Sequence, residues 1–247
     1  MHTDIHTISL VIPVYNEEDN LPELYRQCRE ALEDLPYAWE ILMVDDGSTD
    51  ASLANIKALA AADPRVRYLA FDRNHGQSAA FAAGFAHAGG EVIVTLDADL
   101  QNDPADIPRL LARYAEGGVD MVIGWREKRQ DTWVRRSASR LANAIRNALT
   151  GETVRDTGCS LKVLRTDLAR RIPVFTGMHR FLPTLMKMHG ARVAEMPVHH
   201  RPRTRGVSKY GILDRAWTAW WDLLAVRWMQ RRHVSWRIRE TNLPPTP

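Results

Sequence analysis

Ile8-Ser-Leu-Val-Ile-Pro-Val14 is a short apolar run rich in β-branched residues, and the polar turn Tyr15-Asn16-Glu17 closes it. Such a run reads as a strand buried on both faces of a parallel sheet, where no polar side is left to alternate with. A helical segment follows from about Glu18 to Leu35. The unit then recurs: Glu40–Val44 with Asp50–Ala62, Val66–Phe71 with Gln77–Ala88, Val92–Leu96 with Pro104–Glu116, and a last strand, Met121–Gly124. Five strands alternating with four helices predict an α/β chain. Its sheet is mostly parallel and flanked by helices, with right-handed crossovers and a ligand crevice at the carboxyl ends of the strands.

At 247 residues the chain can bury a full core in one domain. Its 45% hydrophobic and 26% charged composition excludes fibrous and low-complexity classes. Cys28 and Cys159 lie far apart without a metal-ligand spacing, which argues against a disulfide framework or structural zinc and suits a reducing compartment. Neither a signal peptide nor a run of about 18 uncharged apolar residues is visible. The net charge of +3 conceals an asymmetry: residues 1–120 carry 8 Lys and Arg against 21 Asp and Glu, whereas residues 121–247 carry 25 against 9. An acidic half suits a divalent cation and a basic half suits phosphates or an anionic surface, unless the two halves merely attract each other.

The residues that leave each strand fill the expected crevice. Asp97-Ala-Asp99 follows Val92-Ile-Val-Thr-Leu96, so strand alternation sends both carboxylates the same way. Two hard oxygens suit Mg²⁺ or Mn²⁺, with water and substrate phosphate completing the shell, and Gln101 can add a carbonyl. Solvated turn acids are the alternative. Asp45-Asp46-Gly47-Ser48 follows the second strand, where a carboxylate can accept from a nucleobase N–H; alternatively these acids cap the next helix, as Asp50 should, with Ser48 or Thr49 also available. Pro13, Tyr15 and Glu17 place an aromatic for base stacking and a carboxylate beside them. Neither GxxxxGK[ST] nor GxGxxG opens a helix, so P-loop and dinucleotide-binding readings fall.

Val11-Ile-Pro-Val-Tyr-Asn-Glu-Glu18, Val44-Asp-Asp-Gly-Ser-Thr-Asp50, Asn74-His-Gly76 and Leu96-Asp-Ala-Asp-Leu-Gln101 together resemble the family 2 inverting glycosyltransferases. Asp156-Thr-Gly-Cys-Ser-Leu-Lys162, Gly177-Met-His-Arg-Phe181 and the stretch from His200 to Gly211 resemble the polyprenyl/dolichyl-phosphate sugar transferases within them. The resemblance spans about residues 7–230. It implies a GT-A fold with a Rossmann-like sheet, a catalytic domain over 7–210 and an amphipathic, basic extension over 211–247. It further implies a nucleotide-sugar donor, GDP-mannose or a UDP-hexose, and a polyprenyl-phosphate acceptor for cell-envelope glycan synthesis.

The resemblance also extends the site. Arg203-Thr-Arg-Gly-Val-Ser-Lys209 resembles the RxxGxSK segment that closes over the donor diphosphate, with Arg203 and Lys209 as its cations. Arg126, Arg135 and Ser139 take the roles of acceptor-phosphate ligands; Arg135 and Ser139 share a helix face, and Arg136 is the rival of Arg135. Because an acceptor phosphate is already ionised, no dedicated base is required; His179 and His200 become candidates only for a hydroxyl acceptor. Over 211–232, Leu213, Trp217, Trp220, Leu224 and Trp228 form one helical stripe opposite Asp214, Arg215, Thr218 and Asp222. With Arg227, Arg231, Arg232, Arg237 and Arg239 nearby, the stripe suits an anionic membrane interface, a small membrane-protein partner or the domain's own core. The expected location is cytoplasmic, attached peripherally to the cytoplasmic face of the membrane. A soluble transferase acting on a sugar or protein hydroxyl is the alternative; a nucleotide- or RNA-binding module fits less well, because an acidic crevice repels polyanions and no nucleic-acid partner is expected.

Overall fold

The computed structural model describes residues 5–126, 147, 149–202, 212–234 and 240, with 212–218 as backbone alone. Strand β1 (Thr7–Val14) lies between β2 (Ala38–Asp45) and β4 (Val92–Thr95), parallel to both, and β2 pairs in parallel with β3 (Val66–Ala70). Alternate residues of β1 serve opposite layers: Leu10 and Ile12 pack with Ile41, Met43 and Leu21, whereas Val11 packs with Leu42, Val44, Phe81 and Phe85. That double burial explains why the run carries so little polar alternation.

Helices α1 (Leu21–Glu33), α2 (Ser52–Ala62), α3 (Gln77–His87) and α4 (Ile107–Ala115) connect the parallel strands, α4 after a short 3-10 turn at Pro104–Asp106. Helix α1 buries Leu21, Leu24, Cys28 and Leu32, one face at helical spacing. The four helices and the first five strands, the last being β5 (Met121–Arg126), stand where the periodicity puts them.

Two further strands complete the sheet, in the order β3-β2-β1-β4-β6-β5-β7. Strand β6 (Lys162–Arg165) runs antiparallel between β4 and β5, and β7 (Val193–Val198) pairs in parallel with β5. Because β6 is inverted, Lys162 at its start lies opposite Thr95 at the end of β4. The loop before β6 therefore enters the crevice from the same end as the loop after β4.

Helix α5 (Ile212–Arg232) shows which face meets the core, a choice the sequence left open. Leu223 and Val226 are its core-facing residues, buried with Phe181, Leu182 and Leu185. Trp220, Trp221, Leu224 and Trp228 face outward, with Trp228 64% exposed. The helix thus has two apolar faces, and the smaller residues fit the close approach to the core. No described helix is long and apolar enough to cross a membrane.

Candidate active site

The chain passes from β1 out to β3 and returns on the other side of β1 as β4, so the loops after β1 and β4 diverge and leave a crevice between them. The loops after β1 and β2 are stitched together. Asn16 N donates to Ser48 Oγ at 3.0 Å, Thr49 N to Asn16 Oδ1 at 2.8 Å, and Glu17 N to Ser52 Oγ at 2.8 Å. Ser48 and Thr49 therefore bind the neighbouring loop, while Asp50 caps α2 by accepting from Ser52 N at 2.9 Å. Glu17 serves the start of α1: its carboxylate accepts from Asn20 Nδ2 at 2.6 Å and its carbonyl from Asn20 N at 2.9 Å. Pro13 and Tyr15 stand half-buried at the end of β1.

The adjacent acids Asp45 and Asp46 do different work. Asp45 is buried; its Oδ2 accepts from Ser48 N at 3.2 Å, but its Oδ1 is sealed from solvent without a hydrogen-bond partner. A buried carboxylate oxygen left unpaired is costly, and a donor on a bound ligand would satisfy it. Asp46 accepts from His75 N at 2.7 Å, Gly76 N at 2.9 Å and Asn74 Nδ2 at 3.0 Å. Its oxygens thereby hold the Asn74–Gly76 turn. Gly47 lets the two turns meet: at φ +68°, a Cβ here would lie 2.3 Å from the backbone carbon of Arg73.

Asp97 and Asp99 follow β4 as expected. Gln77, in the first turn of α3, donates from Nε2 to Asp97 Oδ1 at 2.7 Å, and Asp97 N donates to Ser160 Oγ at 3.2 Å. Ser160 also accepts from Asn102 Nδ2 at 2.6 Å through Oγ and from Thr95 Oγ1 at 2.5 Å through its carbonyl. The loop before β6 thus pins the acidic loop at three points. Burial, then the negative charge of Asp99, pushes the Asp97 carboxyl up to about 6, against the opposing pull of Lys162, Ser160 and Arg126. Lys162 is itself buried, donates to the Cys159 carbonyl, and has its pKa lowered by that burial.

This geometry fits a divalent cation. Asp99 lies near enough to Asp97 for its charge to raise that carboxyl, so the protein supplies two carboxylates here and leaves the rest of a shell to other ligands. Such a pair suits an ion that keeps part of its shell for water and phosphate. Gln101 N donates to Asp99 Oδ1 at 3.1 Å and its carbonyl accepts from Arg201 N at 2.8 Å, while its side-chain amide makes no hydrogen bond among the described residues.

Arg126 ends β5 on the basic side of the crevice. Its Nε and Nη2 meet Asp156 Oδ2 and Oδ1 at 2.6 and 2.9 Å, a fork that fixes the guanidinium plane. Arg135, Arg136, Ser139, Arg203 and Lys209 lie outside the described residues. The chain leaves for residue 203 from beside the acidic loop, because Arg201 also pairs with Asp103 at 2.6 Å and Gln27 at 2.7 Å. Sequence reasoning missed Gln77, Ser160, Asn102 and Asp156; the segment containing Ser160 and Asp156 was visible, but its partners were not.

A fold with an antiparallel strand between β4 and β5, and an acidic pair at the crevice, can be compared with known proteins. The Glycosyl transferase family 2 profile matches residues 9–173. This chain belongs to that family. It is 44% identical over 210 residues to the undecaprenyl-phosphate 4-deoxy-4-formamido-L-arabinose transferase of Salmonella choleraesuis (strain SC-B67), a match covering 85% of this chain and 64% of the relative. The same figures hold for the enzyme of that name in Salmonella newport (strain SL254). The chain thus spans just under two thirds of the length of these curated relatives.

Among solved structures, a complex of the Mycobacterium tuberculosis glucosyl-3-phosphoglycerate synthase with Mn²⁺, uridine diphosphate and phosphoglyceric acid superposes with a TM-score of 0.69. It is 19% identical, and the match covers 93% of this chain and 80% of that one. Another structure of the same synthase gives 0.67 at 21% identity, covering 90% and 80%. At these identities the likeness establishes the GT-A fold.

Proposed function

We propose that this family 2 chain transfers a sugar from a nucleotide-sugar donor to a polyprenyl phosphate, with inversion at the anomeric carbon. The observation that carries this reading is the pairing of an acidic crevice with a fixed arginine. Asp97 and Asp99 stand at the end of β4, Arg126 stands two strands away in its Asp156 fork, and buried Lys162 lies between. One anionic substrate then needs a cation and the other needs an arginine, as a donor diphosphate and an acceptor phosphate do. The named relatives act on undecaprenyl phosphate.

Asp45 Oδ1 supplies a buried acceptor for a nucleobase N–H, and Tyr15, just after the β1 residue that pairs with Asp45, an aromatic ring for stacking. Asp97, Asp99 and Gln101 would hold Mg²⁺ or Mn²⁺, which when bound neutralises charge on the departing diphosphate. Arg126, with Arg135 and Ser139, orients the acceptor phosphate, and Arg203 and Lys209 supply positive charge to the diphosphate. An ionised phosphate oxygen attacks without losing a proton, so positioning replaces base catalysis. His179 agrees with this. Burial, then the nearby cations Arg180 and Lys162, drives its pKa down to about 3, far below what a base at neutral pH needs.

The lipid acceptor places the reaction at a membrane surface. The outward face of α5 suits that surface: Trp220, Trp221, Leu224 and Trp228 supply interfacial aromatic and apolar area, and exposed Arg231 and Arg232 supply positive charge for anionic headgroups.

A donor screen tests the proposal: protein, Mn²⁺ or Mg²⁺, a short polyprenyl phosphate and a panel of GDP- and UDP-sugars, with organic-phase product read by mass. The expected result is one metal-dependent sugar-phosphate lipid, lost in Asp99→Ala. Donor hydrolysis with no lipid product at any acceptor length would contradict it.

A further inference from the structure

Ser78 and His179 are 101 residues apart in sequence and meet at the first turn of α3. Ser78 Oγ accepts from Gly177 N at 3.0 Å and lies 2.9 Å from His179 Nδ1. Ser78 is buried and has no other side-chain partner among the described residues, so its hydroxyl proton is satisfied by donating to Nδ1. Nδ1 is then an acceptor, and in the neutral ring the proton resides on Nε2. His179 is half-buried, and its Nε2 makes no hydrogen bond among the described residues. The ring is fixed on one edge, and the other is left without a hydrogen bond among the described residues.

The ring is held at the same turn of α3 that holds the acidic pair. Ser78 directly follows Gln77, whose amide holds Asp97, and Lys162 exerts its charge on both Asp97 and His179. A neutral ring of fixed tautomer offers direction without charge. The phosphates of both substrates call for charge, which Arg126 and its neighbours provide, whereas a sugar hydroxyl calls for direction.

We propose that His179 donates its Nε2–H to a hydroxyl oxygen of the donor sugar, and that Ser78 fixes the tautomer which makes this possible. The assignment deepens the transferase reading above and rests on it. His179 is thereby a specificity-determining contact, and Ser78 a positioning residue.

The test is steady-state kinetics of wild type, His179→Phe, His179→Gln and Ser78→Ala with the donor that turns over, alongside inhibition by the matching free nucleoside diphosphate. His179→Phe is expected to lower kcat/KM for the donor by roughly fivefold to tenfold, the worth of one hydrogen bond, and to leave inhibition by the free diphosphate within about twofold. His179→Gln, whose amide can donate from a similar place, recovers most of the loss. Ser78→Ala falls between them. All four share one pH profile between pH 6 and 8, because a neutral donor does not titrate there.

Equal weakening of donor and free diphosphate, a rise in acceptor KM alone, or a pH limb lost with His179 would each overturn the assignment. An unchanged His179→Phe would do so while leaving the transferase reading intact. A wild type that turns over no donor would remove both.

Discussion

Gln77 and Asp97 are joined by a 2.7 Å hydrogen bond from the side-chain amide to the carboxylate, which ties the first turn of α3 to the acidic pair of the crevice. Partners of this kind orient metal ligands, and their loss typically costs about 10- to 100-fold in metal affinity or activity. Gln77→Leu should therefore raise the Mn²⁺ concentration for half-maximal activity by about that factor while the circular dichroism spectrum stays unchanged. A metal titration checks it; an unchanged midpoint would mean that Asp97 needs no external orientation.

Ser160→Ala should act on stability as well. The substitution removes one buried acceptor that serves both Asp97 N and Asn102 Nδ2. Asn102 Nδ2, the fully buried donor of the two, costs about 1–3 kcal/mol when left unpaired, so urea unfolding should show a loss of at least that size. Ser160→Thr keeps the hydroxyl and should lose less.

Gly47→Ala tests the contact between the two nucleotide-side turns. Its Cβ would lie 2.3 Å from backbone at Arg73, in a positive-φ conformation that L-residues adopt at a cost of about 1–3 kcal/mol. The clash adds to that strain. Thermal unfolding should shift downward, and Asp46, which holds the same turn, should make Asp46→Ala similarly destabilising.

The His179 ring predicts an acid limb of stability. Its folded pKa of about 3 lies below the ordinary 6.5, so the unfolded chain takes up the proton first. Its contribution is complete above pH 6.5 and drains away as pH falls from 6.5 toward 3. Urea midpoints at pH 7 and pH 4.5 should differ less in His179→Gln than in wild type. An identical difference in both proteins would show that the ring is protonated in the fold.

The two faces of α5 should separate in mutants. Leu223→Ala truncates a core residue and should cost about 2–5 kcal/mol. Trp220→Ser with Trp228→Ser should leave unfolding nearly unchanged but abolish co-sedimentation with anionic vesicles. Retained sedimentation would move membrane attachment elsewhere on the chain.

Much of the fold was legible because its first half repeats one physical unit, a strand followed by a helix, most plainly in the doubly buried β1 and β4. Strand β6 was not, since Lys162–Arg165 is four residues with a charge at each end, and its place between β4 and β5 has no local signature. Strand β7, VAEMPV, carries Glu195 and Pro197 because it lies at the sheet's edge, which dilutes its pattern. In α5, period alone could not choose between the tryptophan face and the Leu223–Val226 face.

Asp97 and Asp99 were legible because a strand end points at a crevice. Their supports were not: Gln77 lies 20 residues away and Ser160 63, and only the folded sheet brings them together. Asp45 and Asp46 look equivalent in sequence. The Asn74–Gly76 turn, which arrives from β3, separates their roles.

The most direct test of the account compares two acceptors that differ only in the phosphate. Purified protein, Mn²⁺ and the active nucleotide-sugar would be incubated with a polyprenyl phosphate or the corresponding polyprenol, and the lipid product read by mass and anomeric configuration. An inverted sugar-phosphate lipid is expected from the phosphate and no product from the alcohol. Glycosylation of the polyprenol at a comparable rate would contradict it, because the crevice would then have to remove a proton that no group assigned here can take.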